Sequence, residues 1–189
     1  MGHVVGPRTK RWRIVAIIAG VLVLAFVGLT LRLFVFPDLN DPEPSNAIVM
    51  LGGNGAGPFD KAVQLAQEGW APDVVFSLTP YESCEPSIVH LPPFHLPRRE
   101  HVLCFHADPR TTQGEARAIA HLAALHHWHR VIVVMPTTQA TRARLRVGRC
   151  YSGQVLEVGV TPPGFWAWVR GITYEWGALA KALVLQPSC

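Results

Sequence analysis

The chain has 189 residues, is 49% hydrophobic and only 16% charged, with 17 Lys and Arg against 13 Asp and Glu. That length allows one domain of ordinary size plus an appendage. The positive balance is local: Arg8, Lys10, Arg11, Arg13 and Arg32 precede every acid, and 17 minus these 5 leaves 12 bases against 13 acids from Asp38 onward, a net of −1. A basic footprint for nucleic acid is not supported.

Residues 1–13 form a short basic tail. Ile14 to Phe36 is a nearly unbroken apolar run, long enough to cross a bilayer as a helix, for which about 20 residues suffice. Trp12 stands just before it and Arg32 lies near its far end, as interfacial residues do. A cleaved signal peptide has an apolar core of about 7–15 residues, so the longer run reads as an uncleaved signal anchor. The bases before it and Asp38, Asp41 and Glu43 after it place the N-terminus in the cytoplasm and the rest outside. The lipid bilayer, met through residues 14–36, is the first expected partner. Residues 37–45, rich in Pro and Asp, read as a stiff linker to an extracytoplasmic domain over 46–189.

That domain opens on a buried strand, Ala47 to Leu51, which runs into a glycine turn at Gly52, Gly53, Asn54, Gly55 and Gly57. A helix from about Phe59 to Glu68 follows. Glycines let backbone N–H groups close on a bound group, and the next helix aims its positive end there. The turn therefore suits an anion. It matches neither the dinucleotide fingerprint nor the P-loop, so no cofactor is named. Asp73–Leu78 is a second strand. Thr79 to Glu100 is a long loop with five prolines. His101–Phe105 is a third strand, and a helix follows to about His127, where Thr112 and Glu115 have capping-box spacing. Arg130–Met135 is the clearest strand. A helix then runs to about Arg149, Gln154–Val160 is a fifth strand, and Trp166–Leu185 is a last helix. The alternation specifies an α/β fold, Rossmann-like and doubly wound, with a mainly parallel five-stranded sheet.

The ordered set Asn46-Ala-Ile-Val-Met-Leu-Gly-Gly, Leu65-Ala-Gln-Glu-Gly-Trp-Ala-Pro, Thr112-Gln-Gly-Glu-Ala and Val-Ile-Val-Val-Met-Pro-Thr-Thr-Gln-Ala-Thr-Arg142-Ala resembles the bacterial envelope family typified by YdcF, SanA and ElyC. The resemblance covers about residues 46–150. It implies a Rossmann-like fold, a membrane anchor in the bacterial cell membrane and a role in envelope or peptidoglycan physiology. The chain departs from the family pattern where Glu115 replaces an Asn, where Gln139 replaces a His, and at Gly57-Pro58-Phe59-Asp60, where an Arg is often found.

Ligands of parallel sheets sit beyond the C-terminal ends of the strands. The loops there hold Gly52, Gly53, Asn54, Ser77, Thr112, Thr137, Thr138, Gln139 and Arg142 as candidate ligand-binding residues, with Glu115 and Asp108 as acid/base candidates. Arg142 stands in the first turn of its helix, against the dipole. Either a bound anion or an ion pair with Glu115 or Asp108 would relieve that conflict. The expected ligand is an anionic small molecule or lipid phosphate, and the expected chemistry, if there is turnover, is phosphoryl or glycosyl-type transfer. A non-catalytic module regulating wall synthesis is the alternative. Arg142, Arg146 and Arg149 share one face, expected to be solvated rather than a basic rim. His126, His127 and His129 cluster at a helix end, without metal-ligand spacing. Of the four cysteines, pairing Cys84 with Cys104 would staple the Pro-rich loop, and Cys150 with Cys189 would tie down the tail. The aromatic last helix is expected to pack on the sheet rather than lie on the membrane.

Overall fold

The computed structural model describes residues 7–52, 56–79 and 101–189. Gly53, Asn54, Cys84 and most of the Pro-rich loop lie outside the described residues. The expected Cys84–Cys104 pairing lies outside them with Cys84.

The elements in chain order are α1 (Pro7–Thr30) with a π-helical end (Leu31–Val35), β1 (Ala47–Met50), α2 (Ala56–Gln67), β2 (Asp73–Leu78), β3 (His101–His106), α3 (Thr112–His126), β4 (Arg130–Pro136), a 3₁₀ turn (Thr137–Gln139), α4 (Ala140–Cys150), β5 (Gln154–Val160) and α5 (Phe165–Val184). The strands form one sheet in the order β3-β2-β1-β4-β5, and every pairing is parallel. This is the doubly wound topology that the alternation specifies.

The apolar runs of β1 and β4 are buried on both faces, as a central parallel strand requires. Ala47, Val49 and Leu51 join Ile119, Ala143 and Val147 in a core beneath α3 and α4. Ile48 joins Leu65, Val74, Ile132 and Leu156 in a second core beneath α2. Helices therefore cover both faces, and the strand order reverses between β1 and β4. At that reversal the two connections leave in opposite directions and open a crevice at the strand C-termini.

Arg11–Val35 is one helix long and apolar enough to cross a membrane. Its end is docked rather than loose. Phe34 is fully buried, and the Thr141 hydroxyl donates to the Leu33 carbonyl. The linker is also bonded along its length. Asn40 N–H donates to the Glu157 carbonyl at 2.9 Å, and its side-chain oxygen accepts from Glu157 N–H at 3.0 Å. Ser45 N–H reaches the Trp70 carbonyl, and Arg130 pairs with Glu43 at 3.2 Å.

Glu157 lies in β5 under this strap and is buried. Arg144 stands 2.8 Å from its Oε2, but neither carboxylate oxygen has an aligned hydrogen bond among the described residues. Burial pushes the carboxyl up to about 7 from an ordinary 4.5, against the pull of Arg144. As pH rises through that window, the unfolded chain ionises Glu157 while the folded chain still holds the proton. Stability should therefore fall with rising pH between about 4.5 and 7, by roughly 3 kcal/mol. Denaturation midpoints on either side of the window measure this. Glu157→Gln should flatten the slope, and equal slopes in variant and wild type would contradict the assignment.

Candidate functional site

The crevice is a cleft of about 1190 Å³ at the C-terminal ends of the strands. Its walls come from the turns after all five strands and from one side of α5. Gly52, Ser77, Thr112, Glu115, Thr138, Gln139 and Arg142 all line it, so seven of the expected residues are brought together. Thr137 is buried and Asp108 exposed, and neither is among the lining residues.

The strand ends approach closely at two glycines. A Cβ on Gly52 would stand 2.8 Å from the Ser77 carbonyl oxygen. A Cβ on Gly114 would stand 2.0 Å from the Pro109 carbonyl oxygen and 2.7 Å from Asp108 C. Only a residue without a Cβ lets α3 start this close to the turn after β3.

Glu115 does not close a capping box. Thr111 has the extended backbone of the N-cap, without a side-chain cap bond, and its carbonyl accepts the first helical bond, from Glu115 N–H at 3.0 Å. Thr112 is therefore already inside α3. The Glu115 carboxyl instead crosses the cleft floor, where Oε1 accepts from Gly52 N–H at 2.6 Å. Burial raises its pKa, opposed by the bonds from Gly52 and Ser77, the Arg142 charge and a bond from Thr112. In place of an ordinary carboxylate, the floor holds a carboxyl that keeps its proton more readily.

Arg142 pairs with neither Glu115 nor Asp108. Its Nε and one terminal nitrogen each donate at 2.7 Å to the two oxygens of Glu175, from α5. Its other terminal nitrogen donates to the Thr112 hydroxyl, which also accepts from Gln139 at 3.2 Å. The guanidinium carbon lies 5.7 Å from the Tyr174 ring centroid. Burial alone would lower the Arg142 pKa, but the bonds and charge of Glu175 outweigh it and raise it. The dipole conflict is thus relieved inside the protein, by a fork-shaped pair of the strong kind.

Sequence reasoning missed Glu175, Tyr174, Arg110 and Arg170, which also line the cleft. Glu175 carried a signal: it is the sole acid in the 20 residues of α5, and an acid in an apolar helix usually has a buried partner. Arg110 and Arg170 are exposed. With Arg142 they set three arginines against the two glutamates, so the cleft is net positive.

The basic face of α4 is neither solvated nor a rim. Arg146 donates to the Gln186 carbonyl at 2.7 Å and to its side chain at 2.6 Å. Arg149 donates to the carbonyls of Ala182 at 2.9 Å and Gln186 at 3.0 Å. Ala182 stands in the last turn of α5 and Gln186 just past its end, where cations are favoured. Cys150 and Cys189 form a disulfide beside them, as expected. The main contacts of α5 are with α4 and the 3₁₀ turn rather than with the strands.

Among the described residues no three His, Cys, Asp or Glu side chains group as a metal site. Compared with known proteins, the chain matches no family model, no curated protein and no solved structure.

Proposed function

We propose that the cleft binds a phosphate-bearing envelope ligand and that Glu115 is its general acid. The observation that carries this reading is a buried carboxyl with a raised pKa on the floor of a cleft with excess arginine. Arg110 and Arg170 hold the anion at the rim, where they are exposed. Glu115, largely protonated below its raised pKa, gives its proton to the departing oxygen as the phosphoryl or glycosyl group passes from that oxygen to water. The resemblance to the YdcF, SanA and ElyC family supports an envelope role. The bases before the apolar run and the acids after it support a cytoplasmic N-terminus and an external domain in the bacterial cell membrane. The disulfide suits that compartment.

A non-catalytic module is the second reading. It is favoured by the Arg142–Glu175 pair, which already satisfies the most buried cation of the cleft.

Phosphate release from pyrophosphate and from a short-chain polyprenyl diphosphate separates the two. The full chain in detergent should release phosphate, and the rate should fall as pH rises through the Glu115 pKa. Glu115→Gln should lose roughly 100-fold or more while still binding pyrophosphate. Release unchanged in that variant would remove Glu115 from the chemistry. Binding without release in the wild type would favour the second reading.

A further inference from the structure

We propose that α5 is an interfacial helix whose exposed apolar stripe lies in the head-group region of the bilayer that α1 crosses. Phe165, Val169, Trp176 and Leu183 stand at i, i+4, i+11 and i+18, which at about 3.6 residues per turn is a single face. Trp176, near the middle of that face, holds α1. Its ring stacks on Phe26 with centroids 5.1 Å apart and meets Phe34 edge-on at 5.2 Å. Its Nε1 donates to the Thr30 hydroxyl at 3.2 Å. On either side of that crossing the stripe is bare. Phe165 is 70% exposed and Leu183 52%, and next to them Trp166 is 74% and Val184 76% exposed.

The anchor fixes what covers this face. Thr30 lies three residues before Leu33, which is already bonded to the domain through Thr141, or about 5 Å along the helix axis. An element held at Thr30 therefore sits at the depth of interfacial helices, about 5–10 Å into the boundary. The stripe is continuous with the contact to α1, so its uncovered parts face the lipid around α1. Arg170 and Lys181, also eleven residues apart and thus on one face, stand about 120° around α5 from the stripe, next to Trp166 and Val184. A basic edge beside an aromatic and aliphatic one is the composition that anionic head groups attract. Arg170 also lines the cleft, so this placement brings the cleft mouth to head-group level. The inference rests on the helix and its contacts, not on any activity of the cleft.

Spin labels test it in the full chain, reconstituted into vesicles of phosphatidylethanolamine and phosphatidylglycerol. No cysteine is free among the described residues, so one added cysteine can be labelled at a time. The sites are Val169, Leu183 and Val184 on α5, Leu24 on α1 as the lipid reference and Leu125 on α3 as the water reference; all are exposed, so the fold should tolerate them. The α5 labels should relax faster with oxygen than with a water-soluble nickel complex, as Leu24 does and Leu125 does not. Labels on α5 that match Leu125 would overturn the proposal. Labels shielded from both relaxants would overturn it too, because a protein would then cover the stripe. A Leu24 label in water would overturn it by removing the span.

Discussion

Replacing Glu175 by glutamine is expected to lower the stability of the full chain by roughly 3–5 kcal/mol, a fall in Tm of about 6–20 °C for a chain of this size. The Arg142 and Glu175 side chains are only 10% and 5% exposed, so water cannot replace the lost charge. The variant leaves a buried guanidinium with half of its fork. Glu115, which already acts on Arg142 through its charge, becomes the nearest remaining counter-ion. Its pKa should therefore drop, and with it the acid that the proposed chemistry needs. Joint replacement, Arg142→Met with Glu175→Leu, should be milder than either single change, because no charge is left alone. Thermal denaturation of Glu175→Gln, Arg142→Met, Glu175→Leu and the double variant in one detergent measures these stabilities. A Glu175→Gln variant as stable as wild type would show that the pair is solvated and that the cleft wall is held by other contacts.

Serine at both Cys150 and Cys189 is the second large change. The bond joins residues 39 apart, and closing a loop of that length in the unfolded chain is worth about 4 kcal/mol in the chain-entropy account. The folded ends should stay near each other without it. Arg117 donates to the Cys189 carbonyl at 2.7 Å, and Arg146 and Arg149 hold the end of α5. The loss should therefore come from the unfolded state, as a Tm lowered by about 8–16 °C with the cleft intact. Serine at both positions avoids leaving one reactive thiol. Loss of ligand binding below the new Tm would show instead that the bond positions α5 as the wall of the cleft.

What the sequence made legible is the frame. The runs Ala47–Met50 and Arg130–Pro136 are rich in β-branched residues and apolar without alternation, which only a strand buried on both faces explains. The order of strand and helix then determines the parallel topology and puts the crevice at the first and fourth turns. The pairings inside the crevice were not legible. Thr112 and Glu115 fit a capping box by spacing, but the same spacing serves a carboxyl that turns inward, and only the extended backbone at Thr111 separates the two. The partner of Arg142 stands 33 residues away on α5, and no local pattern selects it from the nearer acids. The arginine stripe on α4 is the same pattern whether it meets water, phosphate or carbonyls at the end of another helix. Nor could the composition of the linker reveal that it is bonded along the domain, since Pro and Asp describe its stiffness and not its neighbours.

The central claim is an anion site in the cleft, and thermal stability of the full chain against pyrophosphate tests it most directly. Wild type, Arg110→Ala and Arg170→Ala should be compared at the same ionic strength. A ligand at 100 times its Kd adds about 2.7 kcal/mol, or roughly 5–11 °C here. That rise is expected in the wild type and its loss in both variants, whose unliganded Tm should stay unchanged because both side chains are exposed. No rise in the wild type, or an equal rise in all three proteins, would contradict it.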